Sequence, residues 1–261
     1  MRVRRASDNV EADVGFSAGE LKLTSPISNT SDSLSYTDLA DFVDHTGTPT
    51  DAFVRTWYDQ SGNSVDAEQS TAGLQPKIYD ATTGLIESGT TTVRASLQFE
   101  TSATVSTLNI GFEISSLSLS QPITASITTR DIATATDEMC WLNPVGSAAE
   151  LALLTDGTPD VLRMFAGIEL VSSAQKDSDM LLFAVYNTTS SELFKNNSSI
   201  VSGNAGTNAM TSLRIGGLRQ AAAQRFGIHG NVQEYILWGT AQGSTNRNGI
   251  HSDTNTFFAI Y

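Results

Sequence analysis

Short apolar runs alternate along this chain with clusters of Gly, Asn, Ser and Thr. The runs with strand-like length and composition are residues 53–58, 75–79, 94–99, 123–129, 151–154, 162–165, 180–186, 193–195, 213–215 and 227–238, after an extended segment at 1–16. Within residues 193–200, Asn196 and Asn197 tolerate left-handed turn geometry and predict a hairpin. Many short strands between closely spaced turn residues are typical of a sandwich or barrel. The pattern therefore predicts an all-β fold.

Helical spacing occurs first near the N-terminus. Residues 35–38 have the form of a capping box, with Asp38 where Glu or Gln is usual. Leu39, Phe42 and Val43 follow at helical spacing, and Gly47 lies past the end. The segment predicts one short helix.

The tail at residues 244–261 predicts a second helix. Ser244 or Thr245 can cap it, and Ile250, Phe257 and Ile260 recur at helical spacing. We expect it to pack against the back of a sheet. The sequence has no internal repeat and no linker, so it predicts one domain over residues 1–261, with 1–50 as a strand-plus-helix lead-in.

The charge balance excludes some partners. The chain has 15 Lys and Arg against 28 Asp and Glu, a formal net charge of −13. A nucleic-acid binder needs a basic stripe, and none occurs beyond Arg2, Arg4 and Arg5. No apolar run approaches the roughly 18 residues of a membrane span, and no secretory signal is recognisable. We expect no nucleic acid, no membrane insertion and no classical export.

The metal-binding and nucleophilic residue types form no recognisable pattern. Cys140 is the single cysteine, and it lies in an apolar run that favours a small core residue. Zinc and EF-hand spacings do not occur. A nucleophile elbow is also missing, so His229 and His251 are interpreted as ordinary surface or strand histidines. The sequence predicts no metal site and no cofactor.

Three blocks carry a resemblance to a known family. They are residues 3–8 with 13–15, residues 56–62 through 75–76, and residues 230–238 with 246–247, 250 and 257–261. Together they resemble the concanavalin A-like (LamG-like) jelly-roll domain of bacteriophage virion proteins. The first two blocks are also similar to the catalytic domain of fungal α-L-arabinofuranosidase B, itself a jelly roll. Residues 101–178 match no motif.

The resemblance implies an antiparallel jelly-roll sandwich with one short N-terminal helix and a C-terminal helix. It further implies a structural protein of a tailed-phage virion, such as a fibre, appendage or capsid-surface module. Other virion proteins would be its partners, and a homotrimer is expected. Neutral polar loops suit a surface glycan. Phage relatives usually have a further strand before the first block, so an edge strand is expected to be missing or supplied by another chain.

The chain departs from the fungal enzymes in ways that favour a non-enzymatic protein. Their disulfides, secretion signal and catalytic carboxylate motifs have no counterpart in this sequence, so the resemblance transfers no catalytic residue. Two alternatives stay open: an arabinofuranosidase-like glycoside hydrolase and a lectin module of a bacterial surface protein.

Asp59 is the first candidate carbohydrate-binding residue. It lies in the turn 58–62, where it could bind a sugar hydroxyl or a calcium ion. The alternative is that Asp59 and Ser61 accept hydrogen bonds from turn amides while Trp57 and Tyr58 pack on the sheet.

Glu234 is the second candidate. Strict alternation places it on the same face as Val232, Ile236 and Trp238. A carboxylate on an apolar face is costly unless paired, so a partner such as Arg214 or Arg219 is expected. A glycosidase would instead need a second carboxylate facing Glu234 across the scissile bond, and residues two and four positions away supply none.

Overall fold

The computed structural model describes residues 1–89, 92–99, 110–131, 139–145, 150–156, 161–219 and 225–261. In chain order the elements are β1 (Arg2–Arg5), β2 (Glu11–Val14), β3 (Ile27–Ser28), α1 (Leu39–Val43), β4 (Ala52–Trp57), β5 (Ala67–Glu68), β6 (Lys77–Asp80), β7 (Gly84–Leu85), β8 (Glu87–Ser88), β9 (Arg94–Ala95), β10 (Leu97–Gln98), β11 (Phe112–Ile114), β12 (Ile123–Asp131), β13 (Cys140–Leu142), β14 (Ala152–Asp156), β15 (Val161–Phe165), β16 (Glu169–Gln175), β17 (Asp179–Tyr186), β18 (Ser191–Lys195), β19 (Ser198–Gly203), β20 (Leu213–Ile215), β21 (Leu218–Arg219), β22 (Arg225–Phe226), β23 (Gly230–Trp238) and α2 (Ser244–Phe258). The predicted all-β sandwich with a short early helix and a C-terminal helix is confirmed.

The main sheet runs in the order β19-β18-β17-β12-β23-β10-β6-β4-β1-β2-β3, with antiparallel neighbours. Strands from both ends of the chain therefore meet near the middle of the sheet. β1 pairs with β2 on one side and with β4 on the other. The first strand is therefore flanked on both sides and does not lie at an edge of the sheet.

A second sheet, β13-β14-β15-β16, completes the sandwich. Its buried side chains, including Trp141 and Met164, share one core cluster with Ile123 and Ile127 of β12. The Tyr186 hydroxyl donates a hydrogen bond to the carbonyl of Ala152, 2.7 Å away, and so ties the sheets together. The described part of the unmatched segment 101–178 thus supplies β11 to β16, whereas 101–109, 132–138, 146–149 and 157–160 lie outside the described residues.

Cys140 is a buried core residue, as predicted. Burial raises the pKa of its thiol to about 12, so the thiolate is strongly disfavoured.

A register shift in β23 decides which way Glu234 points. Thr128 faces Glu234 across the ladder, but the next residue, Thr129, faces Val232. Gln233 is therefore an extra residue, as in a β-bulge. Val232 packs into the main core, whereas Glu234 lies opposite Thr128 on the other face. The prediction that Glu234 and Val232 share a face was wrong, because the bulge breaks the alternation between them.

Helix α2 covers that other face. Its buried residues are His251, Thr254 and Phe258, and Phe258 clusters with Leu181 of β17. The predicted packing of the tail on the back of a sheet is therefore found. Neither helix in the described ranges is long and apolar enough to cross a membrane.

Candidate functional site

A cleft of about 900 Å³ opens where β23 loses one of its neighbours. β23 pairs with β12 along its length but with β10 only at Asn231 and Val232. Beyond that point, residues 233–237 line the cleft. An unpaired strand edge retains free N–H and C=O groups. Among the described residues no strand pairs with this edge beyond Val232, so the wall presents backbone hydrogen-bond donors and acceptors as well as side chains.

The end of β4 and the turn after it form a second wall. Trp57 and Tyr58 line the cleft, and the Trp57 ring packs 5.9 Å from that of Phe112. The Tyr58 hydroxyl donates a 2.6 Å hydrogen bond to Asp13 Oδ1. Burial and this hydrogen bond raise the pKa of Tyr58 to about 12. The phenol is thus fixed as a neutral donor.

Asp59 follows on the same wall and organises the turn. Its Oδ1 accepts a hydrogen bond from the Ser61 amide, and its Oδ2 accepts from the Ser61 hydroxyl, both at 2.8 Å. Oδ2 also accepts from the Val65 amide at 3.2 Å. The hydrogen bonds from Ser61, chiefly the hydroxyl, lower the pKa of Asp59. The structure thus shows the turn role considered above and also places this ionised carboxylate on the cleft wall.

Glu234, on β23, lines the same cleft. Burial raises the pKa of its carboxyl group, and Oε2 lies 3.5 Å from the Thr254 hydroxyl that donates to it. The expected pairing with Arg214 was wrong, because Arg214 on β20 pairs with Glu113 on the adjacent β11. The Arg219 side chain lies outside the described residues. Among those described, no Lys or Arg forms an ion pair with Glu234.

Exposed aromatic side chains and paired charges also line the cleft. Phe16 is 50% exposed and Phe257 is 39% exposed. The Arg94 guanidinium stands 4.6 Å from the centre of the Phe257 ring and forms a 3.2 Å ion pair with Glu20. Glu20 also pairs with Lys22 at 3.2 Å. Its negative charge is therefore compensated.

The cleft joins two carboxyl groups in contrasting environments. Asp59 is held ionised by hydrogen bonds, whereas burial favours the protonated form of Glu234. Opposite pKa shifts of this kind are how active sites assign one carboxyl group as an acid and another as a base or nucleophile. The described residues contain no group of three His, Cys, Asp or Glu side chains placed to hold a metal ion.

Sequence reasoning selected Asp59 and Glu234 separately and did not predict that they share a cleft. β4 and β23 are far apart in sequence, and no local pattern reports that β23 loses its neighbour after Val232. The contributions of Glu20, Arg94 and Phe257 were also missed.

Comparison with known proteins finds solved structures that share this fold. Sequence comparison gave no match to any family model, and no match among curated proteins. Solved structures do match. A GH54 α-L-arabinofuranosidase soaked with a cyclic sulfate inhibitor has a TM-score of 0.60 at 13% identity, covering 100% of this chain and 59% of that one.

Two further structures extend the picture. An arabinofuranosidase complexed with arabinofuranosyl-α-1,2-xylobiose has a TM-score of 0.58 at 11% identity, covering 100% of this chain and 59% of its own. A mutant sialidase of Trypanosoma rangeli has a TM-score of 0.50 at 13% identity, with coverages of 78% and 32%. The chain thus spans about three fifths of the length of the arabinofuranosidases it matches. At these identities the likeness shows a shared fold.

These findings correct two expectations. The interpretation as a non-enzymatic structural protein of a phage virion was wrong, since the similar structures are glycan-active enzymes and the glycoside hydrolase alternative fits them better. The expectation of no enzymatic activity was drawn from missing sequence motifs, which fail as a guide at 11–13% identity. The distant likeness to arabinofuranosidases holds at the level of fold. The homotrimer stays a prediction.

Proposed function

We propose that this chain is a glycan-active protein, an arabinofuranosidase-like glycoside hydrolase that works in the cleft between β4 and β23. The observation that carries the proposal is that Asp59 and Glu234 line the same cleft, with pKa shifts of opposite sign. The shared fold, which extends over the whole chain, supports it.

Glycoside hydrolysis uses two carboxyl groups. One protonates the leaving-group oxygen, and the other, as a carboxylate, attacks the sugar or activates a water molecule. Glu234 suits the first role, because burial makes it hold its proton to a higher pH. Asp59 suits the second, because its hydrogen bonds keep it ionised.

The remaining lining suits a sugar. A sugar ring has apolar faces and a rim of hydroxyl groups. Trp57 and Phe257 offer aromatic surface, and aromatic rings with a few placed polar groups are typical of small-molecule sites. The edge at residues 233–237, which pairs with no described strand on the side of β10, offers hydrogen-bonding groups for the hydroxyls.

Hydrolysis of 4-nitrophenyl α-L-arabinofuranoside, a compound already soaked into a mutant GH54 enzyme, tests the proposal. We expect the wild-type chain to release 4-nitrophenol, and both Glu234→Gln and Asp59→Asn to lower kcat/KM by a factor of about 10² to 10⁴. Asparagine keeps the oxygen that accepts from the Ser61 amide, so the turn should survive, and thermal unfolding checks this.

Glu192→Gln is the matched control. Glu192 lies on β18, away from the cleft, and accepts a hydrogen bond from Ser199. Replacing its carboxylate should therefore leave turnover unchanged. Calorimetric titration with arabinofuranosyl-α-1,2-xylobiose completes the test. Binding without turnover by the wild-type chain would contradict the hydrolase, and equal activity in all variants would contradict the assigned residues.

A further inference from the structure

Helix α2 is intrinsically weak. Its sequence, STNRNGIHSDTNTFF, consists mainly of Ser, Thr, Asn, Asp, Gly and His, which are poor helix formers. Gly243 occupies the N-cap, and no side chain caps the helix there. Helix formation in such a segment depends on packing against other elements.

The layer beneath α2 contains buried polar groups that have no hydrogen-bond partner among the described residues. His251 is 0% exposed, yet neither ring nitrogen has a hydrogen-bond partner in the structure. The hydroxyls of Ser126 and Thr128, on the sheet face under the helix, are also buried without partners. Glu234, directly opposite Thr128, adds a partly buried carboxyl group. Unpaired buried polar groups destabilise the packing that contains them.

The apolar anchors of α2 are few and separate from the main core. One small cluster joins Phe258 and Ile260 to Leu181. In a second, Ile250 packs with Trp238 against residues of β17 and β18. Segments with few buried apolar contacts open at lower free energy than the core.

The last turn of α2 also forms part of the cleft. Phe257 and Phe258 line it, and Arg94 holds this end by stacking on the Phe257 ring and donating to the Phe257 carbonyl at 3.3 Å. The same helix places the Thr254 hydroxyl against Glu234. One element therefore both walls the cleft and covers the candidate acid.

We propose that α2 is a detachable positioning element for Glu234, which covers one side of the carboxyl group when docked and, on release, exposes it further to water and opens one wall of the cleft. Thr254 is its positioning residue, since its hydroxyl donates to Glu234. Release would admit a substrate or free a product, as loop and lid motions do in other enzymes. That consequence rests on the proposed hydrolase, whereas the motion does not.

Two measurements on the full chain test the motion without using turnover. Hydrogen exchange gives the protection of the α2 amides relative to those of β12 and β17. A carbon-13 titration gives the pKa of the Glu234 carboxyl group, with the signal assigned by Glu234→Gln. Three variants are compared with the wild type: Gly249→Ala, Ile250→Ser and the exposed control Thr256→Ser.

In the wild type we expect α2 to exchange at least about tenfold faster than β12 and β17. Gly249 has open space around an added Cβ, so Gly249→Ala should raise α2 protection severalfold by raising helix propensity. Ile250→Ser should lower α2 protection to nearly that of an unstructured segment, leave the strands unchanged, and bring the Glu234 pKa down towards its ordinary 4.5. Thr256→Ser should change neither readout.

Two results would overturn the proposal. One is exchange of α2 and the central strands at the same rate in every variant, which would mean that the helix opens only with the whole fold. The other is an unchanged Glu234 pKa when α2 protection is lost, which would mean that other elements bury the carboxyl group. A chain that passes both tests but never hydrolyses a glycoside would refute the proposed function alone.

Discussion

Glu234 and His251 lie in one layer between α2 and the sheet, and burial shifts their pKa values in opposite directions. The raised pKa of Glu234 means that its neutral form is favoured in the fold. The stability that Glu234 contributes to the fold is present below pH 4.5 and is lost as the pH rises through the pKa of Glu234 in the folded protein. Burial lowers the pKa of His251 from 6.5 to about 4. Its contribution is therefore present above pH 6.5 and is lost as the pH falls towards 4. The packing of this layer is therefore weakened both when the pH rises and when it falls.

Replacing His251 should remove the loss of folding stability that occurs as the pH falls. The shift from 6.5 to about 4 corresponds to at most about 3 kcal/mol, at 1.36 kcal/mol per pKa unit. In urea titrations we expect the wild type to lose up to that amount between pH 7 and pH 4, and His251→Phe to lose correspondingly less. His45→Gln, at an exposed histidine, is the control. The same pH slope in wild type and His251→Phe would contradict this assignment.

At the scale of elements, the strands and turns with strong local signals were predicted. The strand 213–215 coincides with β20, and β12 and β17 were found within a few residues. The hairpin between β18 and β19 follows from Asn196 and Asn197, whose φ angles of 49° and 63° are left-handed. Side-chain chemistry was sufficient there, because asparagine adopts that geometry at lower cost than most residues.

The hairpin turn offers a direct test of that argument. Asn197→Ala should lower the free energy of unfolding by about 1 kcal/mol, since alanine is strained at positive φ, while Asn197→Gly should leave it unchanged or raise it. Urea titrations of both variants measure the difference. Equal stability of the alanine and glycine variants would show that the turn relaxes to another conformation.

What could not be predicted depends on long-range register. The bulge at Gln233 leaves the apolar alternation of residues 234–238 intact and only changes the face on which Val232 lies, so one strand read alone conceals it. The cap of α1 is a smaller example. Asp38, predicted to lie at the end of a capping box, is itself the N-cap and accepts from the Asp41 amide at 3.0 Å. Local spacing located the helix but not its first residue.

At the scale of the whole molecule, the cleft is a product of topology. The sheet places β23, from the end of the chain, beside β10, while the end of β4, near the start, lines the same cleft. Sequence motifs pointed to Asp59 and Glu234 but could not bring them together, and the missing enzyme motifs led to the wrong class of function. The fold is shared with arabinofuranosidases over the full chain at 13% identity or less, and this likeness overturned the virion interpretation.

The most direct test of the central claim is a crystal structure of the Glu234→Gln variant soaked with arabinofuranosyl-α-1,2-xylobiose. We predict the arabinofuranosyl ring in the cleft, between the Trp57–Asp59 wall and the edge of β23, with its glycosidic oxygen beside residue 234 and its anomeric carbon on the Asp59 side. Sugar bound elsewhere on the molecule, or a cleft left empty at saturating sugar concentration, would contradict the account.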